Sequence, residues 1–252
     1  MLPQRLVYVR EIGDADAPYW TAASPDGRQL LLEPGESIVR VCYCTVVQLS
    51  QKGALVAPKP SQVLPKAWEL PLAATVITDR RIAFLTTQFD QGGGWSGFGI
   101  AGMTVAATAN AVSRSRAARR SAGKVAIGQV RHEWLTSIGL RYRKPVFGLD
   151  TYIHLAAPTV AGIAVIQLYK PKVIDEDLAR LVVSTVAAHR SSLLPPDPGQ
   201  QTMLREYLTS GQGAMAGANP GDLRWPLPGG TDELIASVIA HAAPHAAPRA
   251  TE

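Results

Sequence analysis

Residues able to do chemistry are few in this sequence, and seldom spaced for it. Gly94-Trp95-Ser96-Gly97-Phe98 sets a serine between glycines. The second glycine comes one residue too early for the strained strand-to-helix turn that presents a nucleophile, and no helix-ready triad follows. Gly211-Gln212-Gly213-Ala214-Met215-Ala216-Gly217 is glycine-rich but follows an expected helix rather than a strand, so it reads as linker, not as a dinucleotide site. Cys42 and Cys44 are the two cysteines. On a strand, side chains at i and i+2 sit roughly 6.5–7 Å apart, long for a disulfide, and a metal would need ligands that no second Cys/His pair supplies. Among five histidines only His241 and His245 have a metal-like i, i+4 spacing, and they stand in Pro/Ala-rich sequence. His132-Glu133 has the types for acid–base work, but a histidine at a strand end beside a glutamate reads as a pair of polar side chains facing solvent. No catalytic residue, metal or cofactor is expected.

The one dense chemical cluster is basic. From Gln91 to Ser113 no side chain is charged; then Arg114, Arg116, Arg119, Arg120 and Lys124 follow within eleven residues. The Ala-rich sequence from 101 to 122 has high helix propensity. Two readings stay open. In the first, Trp95 and Phe98 sit at a lipid interface, the small-residue helix lies in or on the membrane, and the arginines meet anionic headgroups. In the second, Gly99, Gly102 and Ala106 let the helix pack closely against the domain or a second copy, and the arginines form its solvated C-terminal end. Spanning is not expected: the uncharged helical run 98–113 is shorter than the ~20 residues a span requires, and poor in leucine.

The chain has 252 residues, a formal charge of +5 and an 18% charged fraction, with 22 glycines and 19 prolines. That suits a folded centre with loose ends and an acidic partner. Nucleic acid is not expected, because the basic cluster lacks interleaved aromatics and no recognition motif appears. Arg141-Tyr142-Arg143-Lys144 reads as an exposed strand end. Met1-Leu2-Pro3-Gln4-Arg5 shows no basic segment leading into a long apolar run, so a cytoplasmic location is expected, with peripheral contact at the inner face of the membrane.

These residues must be positioned by a β-rich body. Two β-prone runs, 73–77 and 82–87, flank Thr78-Asp79-Arg80-Arg81, whose short polar side chains suit a turn. Upstream, Glu33-Pro34-Gly35-Glu36 is a turn feeding a long strand over 37–49, and four prolines mark 51–71 as loop, with 54–57 a possible short strand. Strands resume at 124–131, 138–143, 149–156 and 161–169 as an antiparallel meander. A helix over 175–192 follows, acidic at its start and with His189 and Arg190 at its end; Leu178, Leu181, Val182, Thr185 and Val186 make its apolar face. Residues 1–32 read as a loose arm or an edge addition. Residues 193–252 read as a Pro/Gly-rich tail, with short helices over 201–208 and 232–243 and a disordered end.

The "pGE" turn and the "TDRR" hairpin resemble those of bacterial pleckstrin-homology-like and GRAM-like domains, over residues 33–192. The resemblance implies an α+β fold: a two-sheet, partly open antiparallel β-barrel capped by a C-terminal amphipathic helix, here carrying the 91–123 helical insert. It further implies a non-enzymatic binding module, peripheral to the membrane through anionic lipid or a membrane-bound partner. Arg80 and Arg81 would then be headgroup contacts, or would fix the turn with Glu36 or Asp79. The alternative is a self-assembling, homo-oligomeric or partner-binding protein that uses the insert as an interaction helix.

Overall fold

Alternation and turn chemistry set the order of elements in the computed structural model, which describes residues 3, 6–13, 23–24, 26–42, 45–52, 74–86, 99–143, 150–159, 162–170, 176–193, 198–209, 213–216 and 221–227. The N-terminal run supplies β1 (Val7–Glu11). The run expected as one long strand is two, β2 (Ile38–Cys42) and β3 (Thr45–Lys52). The central hairpin is β4 (Ala74–Thr78) and β5 (Arg81–Thr86). After α1 (Gly99–Ser121) come β6 (Lys124–Arg131), a 3-10 turn (His132–Trp134), β7 (Ser137–Arg143), β8 (Asp150–Thr159) and β9 (Gly162–Lys170). Then follow α2 (Glu176–Leu193), α3 (Pro198–Leu208) and two short strands, β10 (Met215–Ala216) and β11 (Leu223–Pro226).

The strands form two antiparallel sheets, β1-β6-β5-β4-β2 and β10-β11-β7-β8-β9-β3. Neither closes on itself or on the other, so the expected partly open barrel is, over the described residues, a pair of open sheets. Consecutive strands β2 and β3 lie at an edge of different sheets, which is why the 37–49 run cannot be a single strand. One main core joins both sheets to α2 through Ile77, Phe84, Ile138, Leu155, Ile166 and Val182. Gly128 on β6 is part of that packing: a Cβ there would stand 1.8 Å from Phe84 Cζ, so only glycine lets the ring cross the strand.

The ends of the described chain are tied in more firmly than the reading of an arm and a tail suggests. β1 pairs with β6 in register from Val7↔Gly128 to Glu11↔Lys124, and Leu6 and Val7 enter the core, so this stretch is an edge addition. Ala23 and Leu30 cover the sheet's other face at Val125 and Ile127. At the far end α3 packs on α2 and buries Leu204 and Tyr207. β11 pairs with β7, and its Trp225 is fully buried. The reading of 193–252 as a separate Pro/Gly-rich tail is therefore corrected for 198–209 and 223–227. Prolines there do not break the ladder because Pro226 ends its strand. The possible elements at 54–57 and 232–243, and the supposed disordered end, lie outside the described residues.

Helix α2 has the expected bounds within one residue. Its buried stripe keeps Leu178, Val182 and Val186 but adds Ala179, Val183 and Ala187, with Leu181 and Thr185 at the margin. The stripe ends in Arg190, which is buried rather than a solvated end charge.

Candidate functional site

The two motifs that carried the family resemblance meet in space. Glu33-Pro34-Gly35-Glu36 is a turn closed by Glu36 N–H donating to Glu33 O (2.9 Å), with Gly35 at φ +75°, the value a type II turn needs at its third position. It delivers the Glu36 carboxylate to the base of the hairpin. There the buried Arg81 donates Nε to Glu36 Oε1 (2.8 Å) and Nη2 to Oε2 (2.7 Å), a bidentate pair. Arg81 also donates to Gln129 Oε1 (2.7 Å) and Leu31 O (2.6 Å). Thr78 Oγ1 donates to Glu36 Oε1 (2.7 Å) and accepts from the amides of Arg80 (3.2 Å) and Arg81 (2.9 Å). Burial raises the Glu36 carboxyl, but Arg81, the Glu33 amide and Thr78 outweigh it and hold Glu36 below the usual carboxylate range. Asp79 completes the latch by accepting from Ser37 N–H and Oγ–H, each at 3.0 Å. Arg81 is thus spent inside the fold, and its reading as a headgroup contact is corrected; of the two roles implied for it, fixing the turn is what its bonds perform.

The other side of the hairpin tip is held by His132. Its amide donates to Arg80 O (3.0 Å) and its Nε2 lies 2.8 Å from Thr78 O. This histidine is fully buried, a correction of the surface reading. Burial lowers its pKa to about 4, only partly opposed by the Thr78 carbonyl, so the ring is neutral at pH 7 and Nε2 is the donor. Arg190 clamps the same turn from α2, donating to the carbonyls of His132 (3.2 and 3.1 Å) and Glu133 (3.2 Å) and to that of Leu135. Burial lowers its pKa to about 10, and it stays charged at neutral pH.

Between this hairpin, β2 and the helices lies an open cleft of about 910 Å³. Asp79, Arg80, Arg131, Glu133 and His189 make its polar part; Val39, Leu193 and Leu208 are apolar. Arg80 (3.7 Å) and Arg131 share the Glu33 carboxylate, and Arg131 also stands 3.6 Å from Glu133. Glu133 Oε2 and His189 Nε2 are 3.3 Å apart but too poorly aligned for a hydrogen bond. Burial raises the Glu133 carboxyl, yet His189, its own backbone amide and Arg131 hold it below the usual range. A Glu–His pair in a cleft has the composition of a base and its orienting group. The hydroxyls on this wall are spent elsewhere: Ser184 and Thr185 donate to Leu181 O, and Ser192 donates to His189 O.

The basic cluster is borne by α1. Over 109–121, the part of α1 whose side chains are described, Ala117 and Ser121, one turn apart, are buried, while Arg114, Arg116, Arg119 and Arg120 fan across the exposed arc. The helix holds no acidic side chain in its 23 residues. Lys124, half-buried, starts β6 beyond the helix, opposite Glu11. Trp95 and Phe98 lie outside the described residues. The structure thus brings four predicted arginines together on one helix end and puts Arg80 in the cleft.

Signals for the residues missed were present. Arg190 continues the i, i+4 series Leu178, Val182, Val186. His132 continues the inward parity of Ala126 and Val130. Among the described residues no helix is long and apolar enough to cross a membrane, and no group of three or more His, Cys, Asp and Glu could hold a metal ion. Set against family models, curated proteins and solved structures, the chain matches none.

Proposed function

We propose that this chain is a non-enzymatic, pleckstrin-homology-like binding module that docks on an anionic membrane surface through the basic end of α1. The observation that carries the reading is four exposed arginines within seven positions, Arg114 to Arg120, on a helix free of carboxylates. Cations near an anionic leaflet are stabilised by about 1 kcal/mol each, so four together give roughly a thousandfold in affinity. The strand order supports the fold part of the proposal. The run through β2 and β3 passes from one sheet to the other, β4–β6 continue the first in chain order, β7–β9 the second, and an amphipathic helix follows.

Flotation with vesicles tests it. The protein is expected to float with phosphatidylglycerol-containing vesicles at low salt and not with phosphatidylcholine alone, and to be released at high salt as the charges are screened. Replacing Arg114, Arg116, Arg119 and Arg120 with glutamine, all at exposed positions, should abolish flotation without lowering the melting temperature. Flotation that survives the four replacements, or that ignores lipid charge, would sink the reading.

A further inference from the structure

We infer, resting on the membrane reading above, that Ser115 is a phosphorylation site whose phosphate releases the basic end of α1 from an anionic surface. Ser115 is exposed, with Arg114 and Arg116 on either side of it in sequence. Its hydroxyl is the accessible one at this helix end: Ser121 is buried and donates to Ala117 O (3.0 Å), and Ser113 is half-buried. A helical serine can bond a carbonyl three or four residues back, as Ser184, Ser191 and Ser192 do on α2. Among the described residues Ser115 Oγ has no such partner, so its oxygen stands in solvent, ready to react.

The helix around it opens at little cost. Over 109–121 the buried side chains are those of Ala117 and Ser121, both small, so unwinding this stretch exposes little apolar surface. Gly123 at φ +70° ends α1 two residues past Ser121, which leaves Ser115 in the last two turns, where helices fray. A protein kinase with an acidic substrate cleft fits a serine flanked by arginines. Ser115 Oγ attacks the γ-phosphorus of a nucleoside triphosphate. The Oγ–P bond forms, the bond to the β-phosphate oxygen breaks, the nucleoside diphosphate leaves, and the hydroxyl proton passes to the kinase's carboxylate base.

The phosphate lands where cations surround it. Side chains on a helix lean toward its N-terminus, so Arg119, four positions on, reaches back over Ser115. A phosphoserine carries about −1.5 to −2 charges at pH 7. Set against four arginines and no carboxylate, it removes roughly half the charge of the helix. Arg119 is also drawn onto the phosphate and away from the lipid. Losing two charges' worth of attraction weakens vesicle binding roughly thirtyfold.

The full chain is treated with magnesium ATP and a kinase that acts on serine between arginines. The site is mapped by mass spectrometry, and flotation with phosphatidylglycerol vesicles is measured before and after. One phosphate on Ser115 is expected, with roughly thirtyfold more lipid needed for half-maximal flotation and full recovery after phosphatase treatment. Ser115→Ala, at an exposed position, should float as the unmodified chain does and stay indifferent to the kinase. Three results overturn the inference: no phosphate incorporated, phosphate on Ser113 or Ser121 instead, or a chain phosphorylated on Ser115 that floats undiminished. The untreated protein separates the two readings. If it floats and the phosphorylated form floats equally, this inference alone fails; if it never floats, the membrane reading fails first and the switch falls with it.

Discussion

Arg80 and Arg81 are neighbours in sequence with opposite fates. Arg81 is buried in a bidentate pair with Glu36, and removing one partner of such a pair leaves an uncompensated charge in the core. Arg81→Met is expected to lower unfolding free energy by roughly 3–5 kcal/mol, measured by urea denaturation, and Glu36→Leu in the same chain should restore part of it. Arg80, half-exposed and 3.7 Å from Glu33, should cost under about 1 kcal/mol when replaced by methionine. Equal losses at the two positions would contradict the assignment. His132 gives a second residue-scale expectation. Its folded pKa of about 4 lies below the 6.5 of an unperturbed ring. As pH falls through 6.5 the unfolded chain takes up a proton that the folded one refuses, so stability is full above that range and drains away toward pH 4. Between pH 7 and pH 5 the protein should lose roughly 2 kcal/mol more than a His132→Gln variant, which keeps an N–H for Thr78 O. The depressed carboxylates Glu36 and Glu133 act at lower pH, and His154, which burial also lowers, is common to both proteins, so the difference between them reports His132.

At the scale of elements, what could be read from sequence was what local patterning determines. The hairpin, strands β6 to β9, α1 and α2 all stand close to their expected bounds, because β-branched alternation, turn residues and helix periodicity act over a few positions. The expected four-strand meander is corrected to three, β7–β9, since β6 pairs with β5 and β1 in the other sheet. What could not be read depends on distant partners. Glu36, 45 residues from Arg81, enters as a partner only through the family resemblance and as one of two alternatives, and a run of β-branched residues does not say where it changes sheets. Trp225 sits among prolines and glycines that resemble linker, yet β7 offers it an edge, and Tyr207 secures the same strand by donating to Pro226 O (2.7 Å). Trp225→Ala should therefore cost roughly 3–5 kcal/mol, as for any large core side chain. A melting temperature unchanged by it would restore the reading of this stretch as a tail.

Over the whole molecule, charge is unevenly placed. The surplus positive charge stands on α1, which carries four exposed arginines and no carboxylate. The clamp formed by Arg190 has a consequence of another kind. The carbonyls it satisfies belong to residues made 55 to 58 positions earlier. At about 5–20 residues per second, the corner between the sheets waits roughly 3–12 s on the ribosome for its guanidinium. The hairpin and meander can pair as they emerge, but the corner is locked only once α2 has left the exit tunnel. During that interval the nascent chain has edges to offer and nothing yet to hold them apart, which makes the pace of translation across residues 135–190 part of how this fold is reached.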